Sequence, residues 1–138
     1  MKMLCLFSAI SMSIFGLNVL ASEAYLDCPE GTSKTLECEA QGFGNGLYVS
    51  GARVCRGNLG DFLVVLWQGD TVGSASPVNV VNNANSTEYN NYKQGFISQS
   101  LSVGKVVRRG KSSSVYRYLN MQGTTTEVKM TCEHERFN

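Results

Sequence analysis

Phe62-Leu63-Val64-Val65-Leu66-Trp67 is the one unbroken apolar run downstream of the N-terminal segment, closed off by Asp61 and by Gln68-Gly69-Asp70. Its length suits a strand, and its valines and aromatic residues suit a pleated surface. Alternation puts Phe62, Val64 and Leu66 on one face and Leu63, Val65 and Trp67 on the other. Both faces are apolar, so the run predicts a central strand covered on both sides. Trp67, its last apolar step, is expected at the loop end, largely buried with its indole N–H bonded.

The rest of the chain supplies strands able to pack around this one. Tyr25 to Cys28 alternates and stops at Pro29, which lacks an N–H for ladder pairing. Thr35 to Ala40 places Leu36, Cys38 and Ala40 inward and its glutamates outward. The Asn45-Gly46 step signals a hairpin, and Leu47 to Cys55 returns as a strand with a bulge expected at Gly51. Short strands are also expected at Val78 to Val81, Ile97 to Val103, Ser114 to Met121 and Thr125 to Cys132. Ile97, Gln99, Leu101 and Val103 share one face of theirs, and Ser98, Ser100 and Ser102 the other. No helical periodicity is visible from residue 22 onward. About eight short strands with glycine-marked turns predict an all-β fold, a small antiparallel barrel or a sandwich. Between Asn82 and about residue 94, the asparagines, serine and tyrosines show no core periodicity and read as a long polar loop.

Residues 1–21 have the pattern of a secretory signal: Lys2, an apolar stretch from Met3 to Leu17, and small or apolar residues before the end of Val19-Leu20-Ala21. That leaves residues 22–138 as a single domain, secreted or periplasmic, with no stable membrane insertion after cleavage. Loss of Cys5 leaves Cys28, Cys38, Cys55 and Cys132, an even set that implies two disulfides in an exported domain. Their spacings are too wide for the close pairs of a zinc site, and neither a metal nor a cofactor is expected. The turn residues Pro29 to Ser33 allow Cys28 to meet Cys38. A two-residue turn at Asn45-Gly46 would set Cys38 opposite Arg53, away from Cys55. The expected pairs are therefore Cys28–Cys38 and Cys55–Cys132, the second tying the third strand to the last.

Chemistry is sparse. With Lys2 removed, the 12 basic residues drop by one to match the 11 acidic ones, so no global field draws nucleic acid. His134, the single histidine, reads as a solvated residue of the tail, which disfavours Ser-His or Cys-His catalysis. Asp61, Asp70 and Glu88 are the candidates for a carboxylate pair. Arg108, Arg109 and Lys111 read as a solvated turn, with contact to a small anion or sulfated polysaccharide as the functional alternative. The loop near residue 90 is the most suggestive segment, since tyrosines among amides can stack and hydrogen-bond. Tyr89, Asn90, Asn91 and Tyr92, with Trp67, are the expected ligand-binding residues. The expectation is a non-enzymatic binding module for a protein or a glycan. A small carbohydrate-active hydrolase with paired carboxylates, or a structural envelope component, is the alternative.

Overall fold

The computed structural model describes residues 28–42, 47–68 and 73–135. The proposed signal segment, Asp70 and most of the Gly42–Gly46 stretch lie outside the described residues. Eight strands follow in order: β1 (Thr32–Ala40), β2 (Val49–Gly57), β3 (Gly60–Trp67), β4 (Ser74–Asn82), β5 (Ser86–Lys93), β6 (Phe96–Gly104), β7 (Lys111–Leu119) and β8 (Thr125–His134). Each pairs antiparallel with its neighbours in sequence, and β8 closes on β1 to complete a barrel. Of the two all-β architectures open to the sequence, the chain adopts the barrel.

The apolar run forms β3 as expected. Leu63 and Val65 belong to the core, and Trp67 packs against it from the strand's end. Trp67 is partly buried at the end of β3. Val64, on the outer face, is also buried, and Gly73 approaches it and Leu66 closely as the chain returns from the β3–β4 connection. The run is thus covered on both sides. Inward residues from β1, β2, β3, β6, β7 and β8 fill the rest of the lumen, with Leu63, Leu101, Tyr116 and Met130 fully buried. Outward positions carry Glu37, Glu39, Arg53, Arg117, Glu127 and Lys129, the reverse of the arrangement in a membrane-spanning barrel.

The segment expected to be a polar loop from residue 82 to 94 is mostly strand β5, reached by a short turn through Asn83 to Asn85. Its period-2 signal is hidden because its inward residues are Thr87, Tyr89 and Asn91 rather than aliphatics. The lumen beside them is correspondingly polar. Gln99 donates from Nε2 to Ser76 Oγ (3.0 Å), and Tyr116 donates to Gln99 Oε1 (2.6 Å), a chain linking β4, β6 and β7. Asn91 donates to the Pro77 carbonyl (2.9 Å) and accepts from Ser98 (2.7 Å). Hydrogen bonding replaces apolar contact here, as buried amides require. In the expected count of eight, a strand at 25–28 stood in for β5. Residues 25–27 lie outside the described residues, and Cys28 is not in a strand.

The disulfides differ from expectation. They are Cys28–Cys55 and Cys38–Cys132. Two features of the fold cause this. First, β8 lies beside β1 and not beside β2, which sets Cys38 opposite Cys132 with both side chains in the lumen. Second, a turn in which Thr32 N–H donates to the Pro29 carbonyl brings Cys28 back towards the outer side of β2, where Cys55 lies across from Lys34. The connection from Ala40 to Val49 is also longer than a two-residue turn at Asn45-Gly46, so Cys38 faces Ala52 rather than Arg53. The bulge expected at Gly51 is present, as a register shift between Val49 and Gly51.

Candidate functional site

Along β5 the outward residues are Glu88, Asn90 and Tyr92, and on the neighbouring β6 they include Ser100 and Ser102, with a register shift at Asn91/Tyr92 that breaks the alternation at Ser98. β7 follows with Val115, Arg117 and Leu119. The serines make the middle strand of this face shallow while its neighbours carry longer side chains. The result is a groove of about 270 Å³ lined by Glu88, Asn90, Ile97, Ser100, Arg117 and Leu119, among others. Asn90 (4 % exposed) and Ser100 (8 %) form its floor. Glu127 Oε1 accepts from Arg117 Nε at 2.8 Å, which orients the guanidinium along the β8 side.

One end of the groove runs into the β5–β6 hairpin. Gln94 and Gly95 both have positive φ (53° and 81°), the pattern of a type I′ turn. This turn projects Phe96, which is 71 % exposed, beside the exposed Tyr92 and Ile97. Ile97 belongs to both the apolar tip and the groove wall, so the two are continuous. The surface offers aromatic and aliphatic faces at one end, then amide, hydroxyl, carboxylate and guanidinium groups. Stacking plus directional hydrogen bonding is the chemistry available to it.

Of the residues singled out from sequence, Asn90 and Tyr92 meet on this face. Tyr89 and Asn91 point the other way, into the lumen, and Trp67 packs against the core at the end of β3. Burial raises the Tyr89 hydroxyl above its ordinary pKa, which nearby Arg56 partly offsets. The residues missed were Phe96, Ile97, Ser100 and Arg117. The outward serines were a usable signal, because Ser100 and Ser102, two small residues on a middle strand, leave a depression.

Of the candidate carboxylates, Asp61 and Glu88 do not come together, and Asp70 lies outside the described residues. Asp61 shares the inward row with Val78 and accepts from Arg56 Nε at 2.8 Å, whereas Glu88 lies on the outer face. A larger concavity of about 480 Å³ crosses the outside of β8, β1 and β2, where Glu37, Glu39 and Glu133 gather around Gly51 and Lys111. Glu37 is already committed there. Lys34 donates to it at 2.6 Å and Arg53 at 3.1 Å, and these contacts, Lys34 first, hold its carboxyl below the ordinary range. A carboxyl so stabilised as an anion is a poor proton donor.

His134 is not in a solvated tail. It is the last residue of β8, half-buried, with Nε2 2.8 Å from Ser112 Oγ and its N–H donating to the Gly110 carbonyl. Ser112 is itself buried, out of reach of a substrate. Arg108 to Lys111 does form a turn, closed by reciprocal backbone bonds of 2.9 Å. Among the described residues, no group of three or more histidine, cysteine, aspartate or glutamate side chains is arranged to hold a metal. Compared with protein-family models, with curated proteins and with solved structures, the chain matches none.

Proposed function

We propose that this protein is an exported, non-enzymatic binding module that engages a glycan or a protein through the β5–β6 hairpin and its adjoining groove. The observation that carries the reading is the continuity of the exposed Tyr92, Phe96 and Ile97 with a groove floored by Asn90 and Ser100. Exposed aromatics on a type I′ turn contribute little to folding, yet they present rigid apolar faces at small entropic cost on binding. The adjacent polar side chains supply the directional contacts that sugars and peptide backbones both require. Two disulfides and the N-terminal apolar segment support export. The carboxylate-pair alternative has lost the Asp61/Glu88 combination, since these lie on opposite faces of the sheet.

A glycan array and a pull-down from the native compartment test this, each run with the wild-type protein and with Y92A/F96A. Capture of a ligand by the wild type alone supports the proposal. Equal capture by both proteins, or cleavage of the captured glycan, overturns it.

A further inference from the structure

The β6–β7 connection is strongly basic. From Gly104 to Ser114 the chain carries Lys105, Arg108, Arg109 and Lys111 and no acidic residue. Between these cations stand Val106, 81 % exposed, and the exposed Val107. The segment is anchored. Lys105 N–H donates to the Asn85 carbonyl (3.0 Å), Arg108 and Lys111 exchange backbone bonds, and His134 N–H holds the Gly110 carbonyl (3.2 Å). Arg109 has φ of 55° and Gly110 of 78°, so Arg109 occupies a type I′ position that asparagine, aspartate or glycine ordinarily fills. A long cationic side chain is thus held at the tip in a backbone conformation that opposes it. The β2–β3 turn emerges at the same end of the barrel and exposes Leu59 almost completely, at 93 %.

We infer that this end of the barrel docks reversibly on an anionic lipid surface. Lys105, Arg108 and Arg109 meet the headgroup charge while Val106, Val107 and Leu59 enter the boundary between headgroups and acyl chains. Cations alone would suit any polyanion. Exposed aliphatics set among them match a surface whose charge overlies hydrocarbon, and a hydrated polysaccharide offers these side chains nothing. The attachment is peripheral and salt-sensitive, since the charges are exposed and screened within a Debye length. β6 runs from this loop to the β5–β6 hairpin, so a docked barrel would hold the hairpin tip away from the lipid. The inference does not depend on what the groove binds.

Co-sedimentation of the protein recovered from the exported fraction tests it. The vesicles are phosphatidylglycerol–phosphatidylcholine mixtures, with pure phosphatidylcholine as the neutral reference. Binding to the anionic vesicles is expected, falling at least about tenfold in high salt and about tenfold in R108E/R109E. V106S/V107S should also weaken it several-fold, whereas K129E, a charge change on the barrel wall, should leave it intact. Unchanged thermal unfolding shows that the variants are folded. Equal binding to neutral vesicles, or anionic-vesicle binding indifferent to both loop variants, overturns the inference. So does capture by dextran sulfate without vesicle binding, which would assign the loop to polysaccharide.

Discussion

Cys38 and Cys132 stand directly opposite each other on the first and last strands, and their disulfide crosses the seam at which the barrel closes, inside the lumen. It spans 94 residues of chain, against 27 for Cys28–Cys55. Chain-entropy reasoning assigns about 4–5 kcal/mol to the longer loop and about 3–4 kcal/mol to the shorter. C38A/C132A also empties volume in the core, so urea denaturation should show it as the more destabilised variant. A larger loss in C28A/C55A would mean that the seam is held by other contacts.

Tyr116 is fully buried and donates its hydroxyl to Gln99. Tyr116→Phe strands the Gln99 oxygen and should cost about 1–2 kcal/mol. Burial, with Tyr118 adding to it, raises the Tyr116 pKa well above that of a free tyrosine. The neutral form is favoured in the folded state, so its contribution is complete below about pH 10 and is lost as pH rises through the elevated folded value. Ultraviolet titration should show one tyrosine that ionises only as the protein unfolds in alkali. Titration of all tyrosines while the fold persists would contradict the buried hydrogen bond.

Glu37 works in the opposite direction. Its lowered pKa, caused first by Lys34 and then by Arg53, means that its stabilisation is present above the ordinary glutamate range and is lost as pH falls below it. The carboxylate is half-exposed, so Glu37→Gln should cost no more than about 1 kcal/mol at neutral pH. The difference from wild type should close below about pH 4, measured by denaturation across pH. A constant difference at all pH values would exclude the charge as its source.

Gly51 allows β1 and β2 to come together at the bulge. A Cβ there would lie 2.5 Å from the Cys38 carbonyl oxygen. Gly51→Ala must push the strands apart beside the seam, at about 1–3 kcal/mol by thermal or chemical unfolding. A neutral substitution would show that the bulge relaxes freely.

Aliphatic alternation made much of this barrel legible. Leu36, Cys38 and Ala40, then Leu63 and Val65, then Leu101 and Val103, all point where a period of two places them. Strand β5 was not legible, because Asn91 occupies an inward position and is satisfied by Pro77 and Ser98 from other parts of the chain. Local composition cannot reveal such cross-strand partners. The same blindness affected the disulfides, since Cys38 meets Cys132 only through barrel closure. At the candidate site, Asn90 and Tyr92 were identifiable from composition. Phe96 and Arg117 were not, because one depends on a turn and the other on strand order.

The most direct test is the affinity of three proteins for the ligand recovered by the wild type: wild type, Y92A/F96A and S100W, the last filling the groove floor. Calorimetry should show a loss of at least about tenfold in each variant, equivalent to about 1.4 kcal/mol. Melting temperatures should stay near that of the wild type, since Tyr92 and Phe96 are exposed and Ser100 faces outward. Wild-type affinity in both variants, with the fold intact, would contradict the assignment of the β5–β6 hairpin and groove as the binding face.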